Sequence, residues 1–345
     1  MRLGQDRLPA AAVLLAVALT AALVVLLPHV LSGFRIYQLA QVAIYFIAVL
    51  GLNILTGYCG QISLGHGAFM LVGAYTTSSL VVHAHMRDLW TIPLAGLVAG
   101  VAGFLFGFPA LRLAGVYLAL ATLALATAAP GLAEHFSGLT GGSVGIHVGE
   151  LQAPFGWHIR PNVWIYILSW SVAAVMWALA WLLLRGHFGR TLRAVRDSET
   201  ASVAFGVDLP RYKTIAFGIS AFYAGVAGSL LAISLSYINP SSFPITLSIL
   251  LLTGAVVGGL GTLAGPVFGG LLIVYLWVTP IYANLHGVST EAPPVIYGVL
   301  TIVVMFVLPH GVVGGAKQVW RRIRRAGSAA AARRRLTPAG RIPSN

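Results

Sequence analysis

The sequence predicts an all-α membrane protein: a polytopic bundle of about ten transmembrane helices, with a short cytoplasmic helix between two of them. Three observations carry this. Of 345 residues, 58% are hydrophobic and only 8% charged, with a mean hydropathy of +0.88, whereas soluble domains carry about 25% charged residues. The apolar residues fall into runs long enough to cross the hydrocarbon layer, which takes about 20 residues of helix. Lys and Arg gather on one side of those runs, as the positive-inside rule requires.

The runs lie near 9–30, 36–56, 66–86, 89–110, 114–133, 162–184, 213–237, 244–260, 264–283 and 293–311. Arg2 and Arg7 precede the first, and no small-residue cleavage site follows closely, so it reads as a retained helix. Residues 1–35 are then an N-terminal membrane helix and its flank, 36–311 the main transmembrane unit and 312–345 a basic cytoplasmic tail. With both termini inside, 18 of the 21 Lys and Arg residues fall on the inner side, and Arg35, Arg87 and Arg160 outside. Topology accounts for the net charge of +13, and no nucleic-acid partner is needed to explain it. The tail suits anionic membrane lipid, at roughly 1 kcal/mol per basic residue near the surface. The single cysteine, Cys59, has no disulfide or metal-binding companions and is expected to be a small buried residue.

From Ile36 to Met86, 51 residues pass without an Asp, Glu, Lys or Arg. As one helix they would reach about 76 Å at 1.5 Å per residue, far beyond a bilayer. The segment must turn, and its breakers concentrate in GYCGQISLGHG, residues 57–67. Non-helical backbone at membrane depth must be packed in protein or line a wet cavity. Thr56, Gln61, Ser63 and His66 can satisfy the freed amides, and the glycines permit close approach. Two readings stay open: a packed turn, or part of a translocation path formed by Asn53, Thr56, Gly57, Gln61, Ser63 and His66. A metal at His66 would lack ligands.

Small residues recur at helical spacing in Gly96, Gly100, Gly103 and Gly107, in Ala221 and Gly225, and in Gly254 and Gly258. Such stripes let membrane helices approach closely. GQISLGHGAF (60–69) also echoes GLGTLAGPVF (259–268) at an offset of 199, a short match of the kind a parallel repeat leaves.

The longest charged stretch between runs is 185–213, with six Lys and Arg residues. Asp197 is expected to cap a short helix whose first turn holds Glu199. Ala201, Ala204 and Phe205 share an apolar face, Gly206 suits a left-handed end, and Pro210 blocks continuation. Such a helix either rests on headgroups or docks into another protein.

Three stretches now stand together: GLNILTGYCGQISLGHGAFMLVGAY, GRTLRAVRDSETASVAFGVDLPRYKTIAFGISAFYAGVAGSL and VVGGLGTLAGPVFGG. In this order and spacing the chain resembles the branched-chain amino-acid ABC importer permeases, the LivM-like branch, over roughly residues 36–310. The resemblance implies a permease subunit in the inner membrane of a prokaryote. Its implied partners are a second, homologous permease, two cytoplasmic ATP-binding subunits and an extracytoplasmic solute-binding protein. It implies that the 185–213 loop carries a coupling helix for the ATPase, with Arg196, Asp197, Glu199, Ala201, Ser202, Phe205 and Gly206 as its residues. The pattern E-A-A-x-x-x-G is met by Ala201, Ser202 and Gly206; Thr200 stands at the acidic position and Glu199 one place early. Branched-chain amino acids are the implied substrates, with urea or short amides the alternative in the same family. No cofactor is implied on this chain; ATP and Mg belong to the partners.

The residues weigh against rival classes. No G-x-x-x-x-G-K-[ST] motif occurs, so nucleotide must be bound elsewhere. None of the eight acids falls mid-run, and the 77 residues from Thr214 to Thr290 hold no Asp, Glu, Lys or Arg. That disfavours proton coupling through carboxylates, while sodium coupling through backbone carbonyls stays open. An enzyme lacks any nucleophile–base pair, and the nearest histidine pair, His83 and His85, points to different helix faces.

Overall fold

The computed structural model describes residues 31–110, 115–149, 160–278, 292–307 and 311–315. The run expected at 9–30 and the basic tail past 315 lie outside the described residues. Helices make up almost all of the rest, because amides in lipid must bond within their own segment.

Helix α1 (Gly33–Leu52) runs on into a wider turn with π-helical bonding at Asn53–Tyr58. There follow α2 (His66–Ala84), α3 (Asp88–Ala110), α4 (Val116–His135), the single turn α5 (Ser137–Thr140) and α6 (Pro161–Arg185). Two short helices come next, α7 (His187–Asp197) and α8 (Glu199–Ala204), then the long α9 (Leu209–Leu235). The remainder are α10 (Ile245–Gly258), α11 (Gly265–Ile273), a second π-helical turn at Val274–Val278, and α12 (Ala292–Val307).

Among the described residues, seven segments are long and apolar enough to cross a membrane: Gly33–Tyr58, His66–Ala84, Asp88–Phe108, Val116–His135, Pro161–Arg185, Leu209–Leu235 and Pro240–Gly258. Helices α11 and α12 are shorter, and fall in the runs expected at 264–283 and 293–311. The ten expected runs therefore appear as seven crossing helices, two shorter ones and one run outside the described residues.

Helices α1 and α9 form the centre, with α2, α3 and α6 around them. Ala40, Ile44, Ile47 and Leu50 of α1 and Ala224, Ala227 and Leu230 of α9 are fully enclosed. The small-residue stripes make this possible. A Cβ on Gly103 of α3 would overlap Ala221 of α9, and one on Gly228 of α9 would overlap the Met70 backbone of α2. Outward faces of α3, α4 and α6 stay apolar, with Leu105, Phe108, Leu120 and Leu182 exposed. Lipid is the solvent such faces suit. At the end of the bundle away from α7 and α8, Ile146–His147 pairs antiparallel with Tyr237–Ile238 and ties the α5 region to the end of α9.

Candidate functional site

The basic end of the bundle gathers two helix breaks and the α7–α8 pair. The first break follows the π-helical turn, and its backbone is non-helical from Gly60 to Gly65. Several of its backbone groups find partners. Gln61 N donates to Leu55 O at 3.2 Å, Thr56 Oγ1 donates to Gln61 O at 3.0 Å, and Gly65 N donates to Ser63 Oγ at 3.3 Å. Two further donors reach hydroxyls on other helices: Leu64 N bonds Thr122 Oγ1 of α4, and Gly67 N bonds Ser248 Oγ of α10, each at 2.9 Å. Thr56 and Ser63 thus serve the freed backbone as expected. Gln61 and His66 differ: Gln61 Oε1 and His66 Nε2 are buried with no hydrogen-bond partner.

The second break spans 259–264, between α10 and α11. It shares two features with the first. Gly60 and Gly259 both take positive φ (78° and 116°), and the next helices start at His66 and Gly265, an offset of 199 like that of the sequence echo. The two breaks also touch. Asn53 Nδ2 donates to Thr262 O at 2.7 Å, and Asn53 Oδ1 accepts from Gly261 N at 2.9 Å. This amide clasps the far backbone as a neighbouring strand would, one donor and one acceptor each way. Gly57 makes the approach possible: a Cβ there would overlap both Asn53 Oδ1 and Gly261 N.

Asn53, Thr56, Gly57, Gln61, Ser63 and His66 therefore come together, all buried within the chain. A cleft of about 620 Å³ lies between α2, α3 and α4, lined by Tyr75, Phe106 and Leu132 among others. A second, of about 400 Å³, lies between α3 and α9. None of the six lines either cleft.

Helices α7 and α8 lie against this site. Leu192 and Val195 bury one face of α7. Arg193 fastens its flank: Nη2 donates to Leu184 O at 2.9 Å and Nε to Gly189 O at 3.0 Å, capping the end of α6. The expected cap at Asp197 needs correction. Asp197 closes α7, and Ser198, extended at φ −161° and ψ 112°, caps α8 by accepting Ala201 N at 3.2 Å. Both residue types cap well, but the Asp197 carboxylate is taken by Arg196, whose Nη2 lies 3.0 Å from Oδ1. Glu199 sits in the first turn of α8 as expected and pairs with Lys213 of α9 at 2.7 Å. Ser202 turns inward, while Ala201, Ala204 and Phe205 are exposed, Phe205 at 89%. Gly206 takes φ +79° and bonds back to Val203 O at 2.9 Å.

The remaining bond of Arg196 runs inward, Nη1 to Gly57 O at 2.8 Å. Sequence reasoning did not find this, nor Gly261, Thr262, Thr122, Ser248 and Lys213. The 259–268 echo marked Gly261 and Thr262 but not what they bind; Ser248 is one of three hydroxyls in its apolar run, with Thr246 and Thr253, and nothing set it apart.

Cys59, just past the first span, is buried as expected. Burial pushes its thiol up to about 12, with the charges of Lys213 and Glu199 acting in opposite senses. Among the described residues no group of three His, Cys, Asp or Glu side chains could hold a metal.

Residues 34–308 match the family model described as "Branched-chain amino acid transport system / permease component". The chain is 32% identical over 308 residues to the high-affinity branched-chain amino acid transport system permease protein LivM of Salmonella typhimurium, covering 82% of this chain and 71% of that one. It is 32% identical to Escherichia coli LivM over 78% of this chain and 67% of that one. LivH of S. typhimurium, a separate permease protein, is 25% identical over 78% of this chain and 91% of its own length. No solved structure matches. The match runs through both helix breaks, the α7–α8 pair and every crossing helix described above, and so the chain is a multi-pass membrane protein belonging to the branched-chain amino-acid transport permease family.

Proposed function

We propose that this chain is the membrane-spanning permease subunit of an ABC importer that moves branched-chain or related amino acids inward. The observation that carries the reading is α8: an apolar face exposed at the basic end of the bundle and ended by a left-handed glycine. Docking into an ATP-binding subunit would cover Ala201, Ala204 and Phe205, the fate expected of an exposed apolar anchor. Two such subunits supply ATP and Mg, since no nucleotide motif occurs here. A second, homologous permease, on the pattern of LivM and LivH, completes the pore. An extracytoplasmic binding protein sets most of the selectivity, because the spans offer a zwitterion only hydroxyls, amides, histidine and helix ends.

In this reading the basic end faces the cytoplasm of a prokaryote, with both termini on that side of the inner membrane. The packed turn at 53–66 is the hinge of the translocation path rather than its lining, since its groups are buried. The test is radiolabelled uptake by cells lacking this chain and complemented with it, using leucine, isoleucine, valine and urea. ATP-dependent leucine, isoleucine or valine uptake supports the reading. Urea uptake alone would move the substrate to the amide branch, and ATP-independent uptake driven by a sodium gradient would replace the ABC assignment. Orientation is checked separately: a Ser198→Cys chain should resist impermeant thiol reagents in intact cells.

A further inference from the structure

Arg196 belongs to α7, yet its side chain leaves the helix and threads between the two breaks. Its Nη1 donates to Gly57 O at 2.8 Å. A Cβ on Gly60 would come within 2.9 Å of Arg196 Cγ, and one on Gly261 within 3.0 Å of Nη1. The slot is thus floored by one glycine from each break, and a side chain at either would crowd the Arg196 side chain. On the outer side Asp197 Oδ1 accepts from both Nε (3.2 Å) and Nη2 (3.0 Å), fixing the plane of the fork. The Gly57 carbonyl needs this donor because the helix ends two residues later.

What Arg196 joins matters more than the bond itself. Helix α8 begins three residues on and is tied to α7 through Ser198 and to α9 by the Glu199–Lys213 pair. The two breaks are joined to each other by Asn53. The guanidinium therefore bridges two tied units: α7–α8 on one side, and the turns that end α1 and α10 and start α2 and α11 on the other.

We propose that Arg196 is a positioning residue for transport, holding α8 in register with both helix breaks so that movement of α8 shifts the breaks together. This rests on the docking of α8 proposed above. Coupling between separated sites needs a contiguous element that both bias, and the Arg196–Gly57–Asn53–Gly261 chain is continuous by hydrogen bonds and contact. A plain cap on Gly57 would make Arg196 structural only, which predicts loss of stability and uptake in proportion.

The test uses the full complex in proteoliposomes, comparing the unaltered chain, Arg196→Gln, Arg196→Lys and Phe205→Ala. In Arg196→Gln the amino acid moved per ATP hydrolysed should fall about tenfold, within the range usual for coupling between sites. Arg196→Lys, which can still donate one bond to Gly57 O, should recover part of it. Unchanged transport per ATP in Arg196→Gln would overturn the proposal. So would loss of the ATP-binding subunits to the extent seen in Phe205→Ala, since Arg196 would then belong to the dock. A second measurement stands apart from folding yield and from docking: spin labels at Thr200→Cys and Leu260→Cys in a Cys59→Ala background. Their distance distribution should broaden in Arg196→Gln, and an unchanged distribution would overturn the link even if uptake fell. If Phe205→Ala retains both subunits and uptake, the docking reading fails, while the label distances still decide whether Arg196 joins α8 to the breaks.

Discussion

The turn at 53–66 and the helix at 199–204 are each other's inverse. In the turn, polar groups lie in the interior of a membrane protein, and neighbouring elements meet most of them: Asn53 by Gly261 and Thr262, and the Leu64 and Gly67 amides by Thr122 and Ser248. In the helix, the polar groups are met by its own cap and by Lys213, and the large apolar side chain at its end, Phe205, stands 89% exposed. The first region is met largely within this chain, Gln61 Oε1 and His66 Nε2 excepted. The second is complete only against something else. Perturbing the turn should therefore be felt first in folding, and perturbing the helix first in assembly.

Gly57→Ala should separate the two most sharply. The new methyl would overlap the Gly261 amide, which is backbone, and Asn53 Oδ1, which the bonds to the far turn hold in place. Overpacking of this kind costs about 1–3 kcal/mol, and losing the clasp adds roughly 1 kcal/mol or more for each buried hydrogen bond broken. Thermal unfolding in detergent should show the largest drop of any variant named here, with little folded protein recovered. A wild-type melting temperature would mean the breaks are not clasped through this point.

Ser63→Leu comes next. Ser63 is buried and bonds the Gly65 amide, so a larger apolar chain both crowds the turn and strands that donor. Folded yield and uptake should fall together, by about 1–3 kcal/mol of stability. Uptake lost at normal yield would instead return Ser63 to the lining of the path.

Phe205→Ala should leave melting unchanged, and both Phe205→Ala and Gly206→Val should weaken the hold on the ATP-binding partner. An aromatic anchor truncated at an interface costs about 2 kcal/mol or more, read as loss of co-purification. Gly206→Val acts by strain: φ +79° disfavours a β-branched residue by about 1–2 kcal/mol, although nothing crowds the site. Arg193→Ala should lower stability instead, because Arg193 caps α6 through Leu184 O. Retained co-purification in Phe205→Ala would leave α8 resting on lipid.

The same contrast explains what could be read from the chain alone. Spans follow from composition, and the place of the turn follows from length, since 51 uncharged residues cannot cross once. The left-handed end at Gly206 was legible because capping is local. What was hidden is pairing over distance: Asn53 meets Thr262 across 209 positions, and Leu64 meets Thr122 across 58. The cap moved from Asp197 to Ser198 for a different, local reason, a competition with the neighbouring Arg196 side chain that residue type does not record. Gln61 and His66 carried the same polar signal as Thr56 and Ser63, and burial left one atom of each without a partner.

Cys59 offers the smallest effect and a check on how closed the turn is. Its thiol is buried and its pKa raised from 9.0 to about 12, mainly by burial. The thiolate is the reactive form, so a permeant maleimide at pH 8 should label folded protein far more slowly than unfolded. A Cys introduced at Ser198 should react at an ordinary rate beside it. The sign for stability follows from the raised value. Below pH 9 the thiol is neutral in both states and costs nothing, whereas between 9 and 12 only the unfolded chain ionises, so stability drains away as pH rises. Cys59→Ala should flatten the part of the alkaline melting curve that this thiol contributes and leave the neutral range nearly unchanged. Fast labelling of the folded chain at pH 8 would show that the 57–67 turn opens to solvent, and with it the contrast between a closed turn and an open helix would fail.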